Sequence, residues 1–292
     1  MSTLLAPGST PRELQPASLD SLNYDEFLEL MESEFLRHPI VLDNQYTAWF
    51  AKGEATLPDL RYLTVQFSVF SNLFLIAQLK KMLNADSLES MRAAKEILAN
   101  EIGVIFNNKT KHEAAELLAS DQEVDPNLVS PEGSVDGGIF KFKAAHFEWL
   151  LRFSDALGLG FNEVGKRWHG SLSTLFFCDE LSRLYGSEDP SIAAGASFAI
   201  ENWAAAGFWQ ELEDGLKKIK ADRMPTLPIA FFTWHNRLEA QHAAHTHDEL
   251  AGVFHLPGFD RQKFLEGGRE MLEGLAVFWN GLEEARLSGI GA

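Results

Sequence analysis

From Tyr24 onward, apolar residues recur every three to four positions, the spacing of helices with one buried face, and alternating β-branched runs are scarce. Asn23-Tyr24-Asp25-Glu26 opens a helix carrying Phe27, Leu28, Leu30, Met31 and Phe35. His38-Pro39 closes it, because proline pushes the residue before it out of the helical region. A longer stretch starts after Pro58 and runs to about Leu83, with Tyr62, Leu63, Val65, Phe67 and Leu73 along it. Residues 86–102 form another helix, entered at Asp86-Ser87 and interrupted near Gly103. Helices are predicted again at about 143–157, 162–185, 189–219, 227–251 and 260–288. From Ser120 to Gly138 the chain holds Asp125-Pro126, Ser130-Pro131, Gly133 and Gly137-Gly138, which predicts a loop insertion at about 120–142. Residues 1–20, with Pro7, Pro11 and Pro16 among Ser, Thr and Ala, read as a loose tail. With no repeat period and no mid-chain linker, the pattern predicts one all-α domain over residues 21–292, a helical bundle of about eight or nine helices.

Composition narrows the class. The 292 residues are 46% hydrophobic and 23% charged, which excludes general disorder. Lys and Arg number 25 against 42 Asp and Glu, a formal charge of −17. That balance argues against nucleic acid and anionic membrane surfaces as partners, since both would be repelled. Cys178 is the single cysteine, so neither an internal disulfide nor a thiolate zinc site is expected. No apolar run approaching ~18 residues is read, nor a basic start followed by an apolar stretch. The expectation is a soluble cytoplasmic protein.

Charge in the wrong place carries the chemistry. In 189–219, Ala194, Phe198, Ala205 and Phe208 share one stripe with Glu201 in its middle. Ile192, Ala196, Ala199, Trp203 and Ala206 make the other side apolar too, so a buried carboxylate there must be paired, protonated or bound to a metal. In Phe231-Phe232-Thr233-Trp234-His235-Asn236-Arg237-Leu238-Glu239-Ala240-Gln241-His242, a helical wheel sets Glu239 about 40° from His235 and His242 about 20° to the other side. Two imidazoles and a carboxylate on one arc suit a divalent metal, although five of the nine histidines fall between 235 and 255, which also describes a His-rich exposed helix. Met91, Ala94 and Leu98 form a third stripe ended by Glu101. Carboxylates on three apolar stripes are the set that carboxylate-bridged metals in a helix bundle use, and each also has an ordinary reading as an ion-pair or helix-end residue.

Glu239-x-x-His242 is the sole Glu-x-x-His pair, which counts against the symmetrical ferritin-like bundle. The asymmetrical set, Glu101-Ile102-Gly103 then His112, a lone Glu201, and His235-x3-Glu239-x2-His242, resembles the haem-oxygenase-like non-haem di-iron oxidases and oxygenases. The likeness extends weakly from Tyr24 over the whole chain, including His38-Pro39, Gly53 and Leu57; its most specific parts are the third-helix motif and the 34-residue interval from Glu201 to His235. It implies a haem-oxygenase-like bundle with Glu101, His112, Glu201, His235, Glu239 and His242 as metal ligands, and Glu201 placed to bridge. It implies two Fe(II) ions (with Mn or Mn/Fe also compatible), O2 as co-substrate, and oxidation of a fatty-acid or amino-acid-like small molecule in specialised metabolism. Homodimer formation is compatible with the group. The chain departs from the pattern twice: Glu239 stands where Asp is common, and His112 lies 11 residues beyond Glu101. Eleven residues of unbroken helix span roughly 16 Å, so His112 requires a turn at Gly103 or Asn107-Asn108. Asn202, Asn236, Gln241 and Tyr62 are polar candidates for orienting the imidazoles. Two other readings stay open: a metal-free enzyme on the same scaffold, a cofactor-free oxidase or thiaminase-like hydrolase, and a non-enzymatic helical binding protein whose acids pair with Arg237.

Overall fold

The computed structural model describes residues 19–107, 133–135, 138–142 and 146–289; the side chains of residues 89, 93, 96, 100, 146 and 238–245 in its helices, and those of its strands, fall outside the described set. Helix α1 (Tyr24–Leu36) begins at the predicted place because Asn23 and Glu26 cap each other reciprocally. Two short helices follow, α2 (Pro39–Leu42) and α3 (Gln45–Phe50), each opened by a side-chain cap, His38 and Asn44. The long α4 (Leu57–Leu83) is entered through a Thr56–Asp59 capping box. Next comes α5 (Leu88–Glu101), after which Gly103 at φ 71° turns the chain out of the helix, one of the two places named for a turn.

The predicted loop contains structure. Strand β1 (Val104–Asn107) pairs antiparallel with β3 (Gly138–Phe142), which pairs antiparallel with β2 (Gly133–Val135), in the order β1-β3-β2. Val135 opposes Gly138, and the intervening Asp136-Gly137 is a dipeptide favoured in two-residue hairpins, a signal the loop reading passed over.

Helices resume with α6 (His146–Ala156) and α7 (Leu172–Leu184). The predicted helix 162–185 is therefore shorter: Phe161–Glu163 and Arg167–His169 are 3₁₀ turns, separated by Gly165 at φ 70°. The predicted 189–219 helix is likewise interrupted. It comprises α8 (Pro190–Trp203), a π turn over Ala204–Phe208 with Gly207 at φ 114°, and α9 (Trp209–Asp222). Helices α10 (Ala230–Val253) and α11 (Arg261–Leu287) complete the described chain. Leu19, read as part of the tail, is buried, and its carbonyl accepts from Arg261 Nη1.

Helix α4 corrects the expectation of no long apolar run: by length and composition it could cross a membrane, with a mean hydropathy of 1.3 over an 18-residue window. Here it is a core helix. Leu60, Leu63, Phe67, Val69 and Ala77 are buried, and its apolar face carries glutamines that bond within the protein. Gln66 accepts from Ser171 N and Thr174 Oγ1, and Gln78 Nε2 donates to the Tyr185 hydroxyl. Helices α8 and α11 pack closely. A Cβ at Gly195 would land on the Phe264 carbonyl, and one at Gly267 on that of Ile192, so the two backbones nearly touch. The small residues before Glu201 thus serve close packing.

Candidate functional site

A cavity of about 110 Å³ lies among α4, α5, α8, the π turn and α10. Phe67, Phe70 and Phe74 line it from α4, Trp203 and Ile200 from α8, Phe208 from the π turn, Trp209 from α9 and Phe231 from α10. Into this aromatic enclosure face Glu101 from the end of α5, Glu201 from the last turn of α8 and His235 from the second turn of α10. All three sequence-predicted ligands whose side chains are described line the same cavity, and each is half-buried. His112 lies outside the described residues, as do the side chains of Glu239 and His242.

Local geometry fixes His235. Its Nδ1 lies 2.6 Å from the Phe231 carbonyl oxygen one turn back. A carbonyl only accepts, so Nδ1 carries the proton and Nε2 carries the lone pair, the tautomer a metal-ligating histidine adopts. The ring stacks on Trp209 at 4.5 Å and 18° and packs on Phe231 at 4.4 Å. None of the polar side chains suggested as orienters provides that bond. Asn202 instead donates to Phe198 O and Thr246 Oγ1, tying α8 to α10. Asn236 donates to Gln210 Oε1 and Glu213 Oε2, tying α9 to α10. These bonds set α8–α9 antiparallel to α10, with 202 beside 246 and 210 beside 236.

Two charged residues escaped the sequence reading. Glu249 also lines the cavity, and Lys81 sits behind it. Lys81 Nζ lies 3.2 Å from each carboxylate oxygen of Glu249, donates to Ser197 Oγ at 2.8 Å, and is 4.8 Å from the Tyr185 ring centre. Burial pulls the ammonium down, but Tyr185, Glu249 and Glu201 outweigh it and hold Lys81 above the ordinary lysine range. Burial pushes the Tyr185 hydroxyl up to about 12 despite Lys81. Glu249 was findable: 14 residues after His235 it returns to within about 40° of the same helix face. His247, on the same helix, packs on Phe198 with Nε2 3.4 Å from Asn202 Oδ1.

The donor types suit a divalent transition metal, being carboxylates and a correctly protonated imidazole in an apolar enclosure. Among the described residues no three His, Cys, Asp or Glu converge closely enough to hold an ion by themselves. Cys178 is no nucleophile: it is buried, and burial followed by Asp179 pushes its thiol up to about 12. Arg237, the cation proposed to neutralise the acids, is exposed.

No family model and no curated protein matches the sequence. Solved structures do match over nearly the whole chain. One is a domain of unknown function with a haem-oxygenase-like fold from Shewanella denitrificans, 14% identical, covering 96% of this chain and 97% of that one at a TM-score of 0.54. This chain has a haem-oxygenase-like fold. Two other structures sharing this fold are a CADD-like protein of unknown function from Nostoc punctiforme and a TenA homologue from Pseudomonas syringae. The first is 15% identical over 91% of this chain and 96% of its own, with a TM-score of 0.57. The second is 8% identical over 95% and 100%, with a TM-score of 0.60.

Proposed function

We propose that this haem-oxygenase-like chain is an O2-dependent non-haem di-iron oxidase or oxygenase acting on an organic small molecule. The observation that supports it is that Glu101, Glu201 and His235, from three separate helices, line one aromatic cavity. Those three residues would hold the metal together with Glu239 and His242, which follow His235 at intervals of four and three on α10, and with His112. The ions, when bound, supply the reduction of O2 and the oxidation of the substrate.

The chain's own residues do the rest. Phe231 O holds the His235 proton at Nδ1, so Nε2 is presented without a tautomer change. Trp209 and Phe231 clamp the ring, so little side-chain freedom is lost on coordination. The phenylalanines of α4 with Trp203 and Phe208 exclude water and give the substrate an apolar bed.

Anaerobic titration of the metal-free protein with Fe(II), followed by mixing with O2, tests the reading. Two irons per chain and a transient absorbance are expected; less than one iron, with no transient, would overturn it. Glu201→Gln removes one anionic oxygen from the centre and should weaken iron binding by roughly tenfold or more while the circular dichroism is unchanged.

A further inference from the structure

A run of oxidisable rings joins the cavity to the surface. At its inner end the His235 imidazole stacks on Trp209, whose indole meets Phe208 at 4.6 Å. Phe208 lies face to face with Trp203 at 4.0 Å and 10°. Aromatic quadrupoles favour offset or edge-on pairs at wider spacing, so packing alone does not select this stack. It is built by the π turn with Gly207 at φ 114°, a costly local conformation of the kind that gathers at functional sites. What such overlap favours is electronic coupling between the two ring systems. From Trp203 the run continues outward. Trp279 on α11 lies 6.2 Å from Trp203, and Tyr46 on α3 lies 5.8 Å from Trp279. Trp49, half-buried at the outer end, lies 5.4 Å from Tyr46.

The buried Nε1–H groups of Trp209 and Trp279 meet no hydrogen-bond partner among the described residues. Unpaired buried donors are uncommon, and a redox role is one of the few reasons for them. With no acceptor beside it, an indole gives up an electron and keeps its proton, so charge moves along these rings without waiting for a proton. Burial raises the Tyr46 phenol above its ordinary value, so that ring stays protonated and serves as a bridge. At the surface the Arg286 guanidinium lies 4.5 Å from the Trp49 ring centre and by itself would oppose positive charge there. Glu283 bonds that guanidinium at Nε and Nη2 and offsets it.

We infer that Trp209 and Trp203, coupled through Phe208, and Trp279 and Trp49, coupled through Tyr46, form a one-electron path between the cavity and the surface at α3. The inference deepens the proposed function and rests on it only for naming the oxidant, the oxidised iron centre. Each passage moves one electron. The oxidant takes it from the inner indoles, Trp279 refills them, and Trp49 refills Trp279 across the Tyr46 ring. A one-electron reductant at the surface, of the reduced-flavin or iron–sulfur class, refills Trp49. No bond forms or breaks in the chain, and the indole protons stay in place.

Flash photolysis of iron-free full-length protein tests the path. Ala48 is exposed beside Trp49, so Ala48→Cys carries a ruthenium polypyridyl there, while the buried Cys178 stays unlabelled. With a cobalt(III) ammine as electron acceptor, the flash oxidises the ruthenium, which then takes an electron from Trp49. The tryptophan radical is followed by transient absorbance with ascorbate in the solution. Trp203 and Trp279 are 3% and 1% exposed, so a radical that reaches them is shielded from ascorbate. A long-lived radical is expected in the parent, and its loss when Trp279→Phe is added. A parent radical quenched in a single fast phase overturns the inference, as does a long-lived radical unchanged by Trp279→Phe. Should Trp279→Phe fail to fold, Trp49→Phe, at the half-buried entry, must also remove the long-lived radical; its persistence overturns the inference. Iron stoichiometry is a separate readout. Two irons without the long-lived radical removes this inference alone, and the long-lived radical without iron leaves the path and removes the di-iron reading.

Discussion

At the scale of single residues, the acids of this chain are controlled by what bonds them. Asp189 is the clearest case. Its Oδ1 caps α8 by accepting from the backbone N–H of Ser191 and Ile192, and its Oδ2 lies 2.6 Å from Lys263 Nζ on α11. Burial alone would raise its carboxyl, but Lys263 and the two backbone donors outweigh it and hold it below the ordinary value of 3.8. A folded-state value below the unfolded one stabilises the fold above the ordinary carboxylate range, and that stabilisation is lost as pH falls through the folded value. Asp189→Ala should therefore cost about 1 kcal/mol at neutral pH, measured by urea denaturation, with the gap to the parent closing below about pH 3–4. Asp189→Asn keeps the cap and should cost less. Lys81 carried no comparable sequence signal, because a lysine in the last turn of a helix already has an ordinary role beside the helix dipole.

Among the elements, the π turn decides how α8 and α9 present their side chains. A wheel of 100° per residue predicted that the Glu201 stripe continues through Ala205 to Phe208. The wider turn breaks that phase. Ala205 and Ala206 are exposed, while Phe208 comes round to stack on Trp203 at 4.0 Å and 10°. Glu201 precedes the turn and Trp209 follows it, so both cavity walls depend on its geometry. Gly207 is the residue that permits it, at φ 114° with open space where a Cβ would sit. Gly207→Ala therefore meets conformational cost without a clash and should destabilise by roughly 1–3 kcal/mol in urea denaturation. The wheel reading succeeded where helices are regular: Glu101, Glu201 and His235 all line one cavity. It failed where hydrogen bonding departs from the α pattern, at the π turn and the two 3₁₀ turns before α7. It failed also at β1, whose pairing partners on β3 lie more than thirty residues away and leave no local period to read.

For the molecule as a whole, the haem-oxygenase-like fold was legible from helical spacing and the asymmetrical acid and imidazole set together, and the solved structures bear it out at the level of fold. Crossing geometry was not legible, because it depends on which small residues face which backbone. The α8–α11 contact shows why: Gly195 and Gly267 look like helix weaknesses in one dimension and become the points where helices meet in three. Gly195→Ala should push α8 away from the Phe264 carbonyl and lower stability by about 1–3 kcal/mol, read as a drop in thermal midpoint. Oversized packing of this kind should spare Gly252, which has no neighbour within 4 Å.

That same seam makes assembly of the centre directional in time. During synthesis Glu101, Glu201 and His235 all emerge before Arg261–Leu287, yet the helix bearing Glu201 has its backbone seated on that final stretch. A nascent chain halted at residue 260 would carry every proposed ligand and still lack the helix against which the backbone of α8 is seated, so under the di-iron reading the site is completed only once Arg261–Leu287 has packed on it.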